Sequence, residues 1–241
     1  MNVVDVVAQG PVIPDFGNGS GCRANETFCW DWFADHWDRF ATELVQHVYV
    51  SAIAIVIGLV VALPAALLAY RLPRFETPAV VFSTVLYTIP VLGFFLLMIP
   101  VTGIGLLTIE IALVGYTLLL LFRNTLTGLR SVPPEVRAAA LGMGLTPGQI
   151  LVRITFPLAL PAVMAGLRVV TVTTISLATL AAYIAPYGLG QSILFYIGNT
   201  FISGLISAGV LAILLALVAD ALIVGLTTLV TPWARARRGG A

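Results

Sequence analysis

Five long apolar stretches, at residues 45–70, 78–100, 104–122, 158–184 and 205–230, limit this chain to one class of fold. Each is near or above the roughly 20 residues that a helix needs to cross a bilayer. Inside lipid the backbone must satisfy its own hydrogen bonds, so such stretches read as membrane-spanning helices. Composition agrees. Of 241 residues, 59% are hydrophobic and 10% charged, with a mean hydropathy of +1.03, against about 25% charged residues in a soluble domain. The expected fold is an all-α integral membrane protein. A sixth apolar segment, 185–204, is interrupted by Pro186 and its glycines, a pattern that suits half-helices or a re-entrant segment better than another crossing.

The placement of charge orients the bundle. All twelve basic residues are arginines. Arg71 and Arg74 lie between the first and second spans, Arg123, Arg130, Arg137 and Arg153 between the third and fourth, and Arg235, Arg237 and Arg238 after the fifth. Five crossings put all three groups on one side, which the excess of arginine marks as cytoplasmic. The chain is therefore expected to be multi-pass in the cell membrane, with its N-terminus outside and its C-terminus in the cytoplasm.

Residues 1–44 form an extracytoplasmic tail carrying seven carboxylates and only Arg23 and Arg39. No basic segment followed by an apolar one occurs there, so the tail does not read as a secretory signal peptide. Trp30, Trp32, Phe33, Trp37 and Phe40 recur at helical spacing and predict an amphipathic anchor at the lipid boundary. Cys22 and Cys29 are the only cysteines and form a candidate disulfide on that side. Two cysteines are too few for a structural zinc site, and His36 and His47 read as interfacial residues. No metal site is expected. Residues 45–231 form the transmembrane domain, and 232–241 a basic cytoplasmic tail.

Two charges fall within the hydrocarbon, Arg168 in the fourth span and Asp220 in the fifth. Each lies roughly 15 Å from the cytoplasmic side, and an ion pair between them is the expectation, because isolated intramembrane charges are costly. Glu110 lies near the outer end of the third span and is expected to reach the headgroups. Thr173, Thr174, Ser176 and Thr179 give the fourth span hydroxyls that are candidates for a translocation path. Back-bonding to their own helix is the competing reading.

The polar interval 133–157 is the most distinctive part of the sequence. Pro133-Pro134-Glu135 is a helix-start signal. A short helix through Arg137, Ala138, Ala139 and Ala140 is broken by Gly142 and Gly144, and Thr146-Pro147 opens a second with a capping residue and a first-turn proline. Leu145, Ile150, Leu151 and Ile154 would line one face of this elbow, leaving Arg137, Gln149 and Arg153 to water or a partner.

That interval resembles the EAA loop of ABC-importer permeases, with pattern E-A-A, three residues, G, nine residues, I, one residue, L-P. Ala139, Ala140, Gly144, Ile154 and Pro157 match it, while Ala138 stands in the Glu position and Phe156 in the Leu position. Glu135, one turn earlier, is the nearest carboxylate. Further stretches are similar to the osmoprotectant branch of these permeases: Gln46-His47-Val48-Tyr49-Val50-Ser51, Leu86-Tyr87-Thr88-Ile89-Pro90, Phe122-Arg123-Asn124-Thr125-Leu126-Thr127-Gly128-Leu129, Leu141-Gly142-Met143-Gly144-Leu145-Thr146, Ala178-Thr179-Leu180-Ala181-Ala182-Tyr183-Ile184 and Gly188-Leu189-Gly190.

The resemblance implies a type I ABC-importer permease core of about five transmembrane helices with a cytoplasmic coupling-helix loop. It implies uptake of compatible solutes, namely glycine betaine, choline, carnitine or proline. It also implies a cytoplasmic ATPase subunit that uses ATP and Mg, an extracytoplasmic substrate-binding protein, and a second permease chain, identical or a homologous sister. No cofactor is expected on this chain, and no nucleic-acid partner. An importer for another small polar solute, such as an amino acid, and a non-conducting membrane scaffold are the alternatives. Catalysis is not expected: there is no P-loop, and Gly142-Met143-Gly144 lacks the strand and helix around it that would make a phosphate site.

Overall fold

The computed structural model describes residues 28–233. The described residues form helices joined by short turns. A short helix α1 (Trp30–Asp35) leads into α2 (Trp37–Arg71), which at 35 residues is about 52 Å long. Then come α3 (Pro73–Thr88), α4 (Val91–Thr102) and α5 (Leu106–Arg130). Next come α6 (Pro134–Gly142) and the single turn α7 (Pro147–Ile150). A π-helical turn (Leu151–Thr155) joins α7 to α8 (Phe156–Ala178), so that Pro147–Tyr183 forms one continuous rod. The short α9 (Gly190–Gly198) and the long α10 (Ile202–Val230) complete the bundle.

Helix α5 is the hub, packing against α2, α3, α4 and α8. It is the least apolar of the four unbroken spans, yet more than half of its most apolar stretch is buried, whereas none of that stretch in α10 is. The inversion follows from the solvent. Lipid tails are as apolar as leucine, so in a bilayer close packing of small residues brings helices together more than hydrophobicity does. Along α2 the buried stripe is Ser51, Ala54, Gly58, Ala62, Ala66 and Ala69. At Gly58 the two helices touch, since a Cβ there would lie 1.9 Å from Thr117 Oγ1 on α5.

Three expectations are corrected. The second span is not one rod: α3 and α4 meet at 100°. Pro90 brings no N–H and holds Ile89 in an extended conformation (φ −69°, ψ 126°), which ends α3. The Tyr116 hydroxyl donates to the Ile89 carbonyl, which satisfies part of the backbone freed by the break.

The aromatic residues before the first span do not all lie at the lipid boundary. Trp32 and Phe40 are fully buried in a cluster with Tyr196 and Phe201, while Trp30 and Trp37 remain exposed. The Trp32 ring stands edge-on to Phe201 and Tyr196 at centroid distances of 4.7 and 5.5 Å. Burial against α9 and α10 removes more ring surface from water than an interfacial position could. As a result, the part of the N-terminal tail from residue 28 on is packed on the bundle. Cys22 lies outside the described residues, as do Arg235, Arg237 and Arg238.

Glu110 does not reach the headgroups. It is 7% exposed and sits seven residues, nearly two full turns, from Thr117, so it shares the face that α5 turns toward α2. Neither of its carboxylate oxygens has a hydrogen-bond partner among the described residues. His47 is likewise buried, with Nε2 donating to the Ile175 carbonyl at 2.9 Å. The interval 185–204 carries α9, whose nine residues span about 14 Å, less than half of the roughly 30 Å hydrocarbon core.

Candidate functional site

The elbow at residues 133–157 is built by local rules. Pro134 opens α6 with Glu135 in its first turn, where the carboxylate complements the helix dipole. Beyond Gly142, the chain turns at Gly144, whose φ of +83° suits a residue without a Cβ. Thr146 and Gln149 then form a reciprocal capping box: the Gln149 N–H donates to Thr146 Oγ1 at 3.4 Å and the Thr146 N–H to Gln149 Oε1 at 2.9 Å.

Of the elbow residues singled out from sequence, Glu135, Ala138, Ala139, Gly142 and Gly144 are exposed, Ala140 is buried, and Ile154 and Pro157 are half-buried. Ile150 and Leu151 turn inward, and Gln149 and Arg153 outward. Arg137 departs from expectation. Its Nη1 donates to the Tyr70 hydroxyl at 2.9 Å, tying α6 to the end of α2 instead of pointing away. Leu141 and Met143 are 55% and 70% exposed, forming an apolar knuckle at the bend. Between the elbow and the end of α2 lies a cavity of about 500 Å³ lined by Tyr70, Arg71, Arg137, Leu141 and Ile150 among others.

Within the membrane, Arg168 on α8 and Asp220 on α10 are joined by two parallel bonds, Nε to Oδ1 and Nη2 to Oδ2, both at 2.7 Å. This is the fork geometry in which guanidinium and carboxylate match best. Beside the pair, residues of α8 and α10 line a groove of about 550 Å³, to which Ser176, Thr179 and Asp220 contribute the polar lining. Thr173 and Thr174 do not line it, and Thr174 is buried in the bundle. Ser176 Oγ donates to the Val172 carbonyl at 3.0 Å and Thr179 Oγ1 to the Ser176 carbonyl at 2.7 Å. Their donors are thus used within the helix, and lone pairs remain for the groove.

At the opposite end of the bundle from the elbow, Arg39 holds several groups together. Its Nε donates to Glu43 Oε1 at 3.0 Å, its Nη1 to the Tyr196 hydroxyl at 3.2 Å, and it lies 5.2 Å from the Phe195 ring centroid. Burial pushes the Tyr196 phenol up from its ordinary pKa, so the hydroxyl stays protonated. Sequence reasoning missed this cluster, because Arg39 and Tyr196 are 157 residues apart and only tertiary contact joins them.

Residues 54–235 match the model of the binding-protein-dependent transport system inner membrane component family. The chain belongs to that family. The permease is 34% identical over 211 residues to the carnitine transport permease protein OpuCB of Listeria monocytogenes, covering 86% of this chain and 96% of the relative. It is 32% identical over 174 residues to the glycine betaine/carnitine/choline transport system permease protein OpuCB of Bacillus subtilis, covering 70% and 80%. Among solved structures, an inward-facing form of the MetNI methionine ABC transporter superposes with a TM-score of 0.75 at 19% identity, covering 82% of this chain and 98% of that one. The fold is that of a type I importer permease. The protein is a multi-pass membrane permease, and in its family ATP hydrolysis is the work of a separate ATPase subunit.

Proposed function

We propose that this permease imports compatible solutes carrying a quaternary ammonium group, with glycine betaine, carnitine and choline as the leading cargo. Support for the cargo comes from the two permeases above, which are similar to it over most of their length. Support for the mechanism comes from the elbow. Two short helices hinged at Gly144 carry the exposed apolar side chains Leu141 and Met143 on the arginine-rich side of the bundle. An apolar knuckle on a rigid, capped elbow suits a groove on a cytoplasmic ATPase subunit. Residues 133–157 are then the coupling element, the N-terminus faces outside, and the C-terminus faces the cytoplasm.

Two such chains, identical or sisters, form the pathway. Each docks one ATPase subunit, and a substrate-binding protein delivers solute at the outer face. ATP-driven closure of the ATPase dimer draws the elbows together and shifts the bundle toward its outward-open state.

The test is affinity purification of the tagged chain from native membranes in mild detergent. The co-purified binding protein is then titrated with glycine betaine, choline, carnitine and proline. Recovery of an ATPase and of a binding protein selective for quaternary amines is the expected result. A binding protein selective for another solute would reassign the cargo, and absence of any ATPase would remove the coupling role of the elbow.

A further inference from the structure

The Arg168–Asp220 pair is in an unusual position for a structural lock. Asp220 lies ten residues before the end of α10 and so about 15 Å along it, well inside the hydrocarbon. Even so, Arg168 and Asp220 retain 45% and 28% side-chain exposure. Charges open to acyl chains at that depth would be costly, and exposed intramembrane charges face water-filled cavities instead. Asp220 lines the groove between α8 and α10, and Arg168 adjoins that groove through its two bonds to Asp220. Its volume of about 550 Å³ falls within the roughly 300–1,000 Å³ typical of small-molecule sites. The rest of the lining is apolar or small, including Ile175, Gly209, Ala212 and Ala216, apart from Ser176 and Thr179.

We propose that Arg168 and Asp220 form a zwitterion-reading station on the transport path, a specificity site that rests on the cargo reading above. The solutes in question carry a fixed cation and, in glycine betaine and carnitine, a carboxylate. With no solute present, the two side chains satisfy each other. A passing zwitterion exchanges with that bond: its carboxylate takes the Arg168 fork and its ammonium group lies against Asp220. Net charge in the groove is zero before and after, so no uncompensated charge is exposed at mid-membrane at any stage. The small apolar residues give room for three methyl groups. Choline has the cation and a hydroxyl but no carboxylate, so it engages Asp220 and leaves Arg168 without an anionic partner.

This difference gives the test. The permease is reconstituted with its ATPase and binding protein in proteoliposomes, and ATP-driven uptake of glycine betaine and of choline is measured at saturating solute. Arg168→Gln is expected to lower the betaine-to-choline uptake ratio by about tenfold, since one charge-assisted bidentate contact is lost for betaine alone. Asp220→Asn is expected to lower both rates. Ala216→Leu keeps the ion pair and narrows the groove, so it should slow both solutes at least tenfold while the complex still assembles on size-exclusion chromatography. If Arg168→Gln slows both solutes in parallel at an unchanged ratio, or if Ala216→Leu transports normally, the station is overturned and a structural pair is left. A wild-type transporter that moves neither solute overturns the cargo reading and this one with it, and that outcome is recognisable before any variant is made.

Discussion

Replacing Gly58 by alanine adds one methyl group at the tightest point of contact between α2 and the central helix. The new Cβ would lie 1.9 Å from Thr117 Oγ1 and 2.8 Å from Thr117 Cβ. Rotation of Thr117 about χ1 can carry Oγ1 away, at the loss of its bond to the Val114 carbonyl at 2.8 Å. The Cβ is fixed by the backbone, and at 2.8 Å it is closer than real Cβ contacts allow. The helices must therefore separate, and the stripe of Ser51, Ala54, Ala62, Ala66 and Ala69 loses contact along its length. Overpacking of this kind costs about 1–3 kcal/mol. At roughly 2–4 °C per kcal/mol for a chain of this size, the melting temperature falls by about 2–12 °C.

Thermal unfolding in detergent, followed by tryptophan fluorescence and by the surviving monodisperse fraction, measures it. Thr117→Ala in the Gly58→Ala background removes the closest contact but leaves the Cβ–Cβ approach. The double variant should thus recover part of the loss, with a coupling on the order of 1 kcal/mol. A Gly58→Ala protein that melts with the wild type, or a double variant whose losses simply add, would refute the argument that small-residue contact holds α2 to α5.

Other perturbations test separate parts of the fold. Tyr116→Phe removes the donor that satisfies the Ile89 carbonyl at the bend between α3 and α4; leaving that acceptor unpaired should cost about 1–3 kcal/mol, read as a lower melting temperature. Trp32→Ala empties the centre of the outer aromatic cluster and should cost about 3–5 kcal/mol, with faster proteolysis of the N-terminal segment as the check. Gly144→Val meets no atom within 4 Å, so its effect comes from the backbone at φ +83° alone. Uptake per ATP hydrolysed should fall while membrane insertion is unchanged, and Gly144→Asn, which tolerates that conformation better, should retain more coupling.

The parts of the molecule that were legible in the sequence are those set by neighbours along the chain. The start of α6 at Pro134 and Glu135, the turn at Gly144 and the capping of α7 by Thr146 each depend on three or four consecutive residues, so spacing alone reveals them. Apolar length likewise located the spans. What stayed hidden depends on the third dimension. A window of hydropathy passes over Pro90 without registering that the helix must end there. The same window treats Trp32 and Trp37 alike, although one is buried against Phe201 and the other faces outward. Glu110 looked like a residue near the surface because of its place along the chain, yet its face of α5 is turned to α2. The small residues of α2 at spacings of three and four were the available signal, since they mark the face where a second helix must lie.

The distribution of polar groups on the outermost helix gives a last constraint on how the permease works. Helix α10 is the least buried of the unbroken spans, as a purely lipid-facing helix would be, yet it carries Asp220 at mid-depth. Ser176 on α8 and Thr179, just beyond its end, line the same groove. Lipid cannot cover that face without stranding the ion pair in hydrocarbon, so water, solute or protein must cover it for at least part of the cycle. By contrast, Thr108, Glu110 and Thr117 of α5 lie inside the bundle, where they can hold helices together but cannot meet a solute passing outside it. The bundle is therefore complete around α5 and incomplete along α8 and α10. A pathway assembled from two chains needs this division, in which one set of contacts keeps each chain folded while the other is free to open and close.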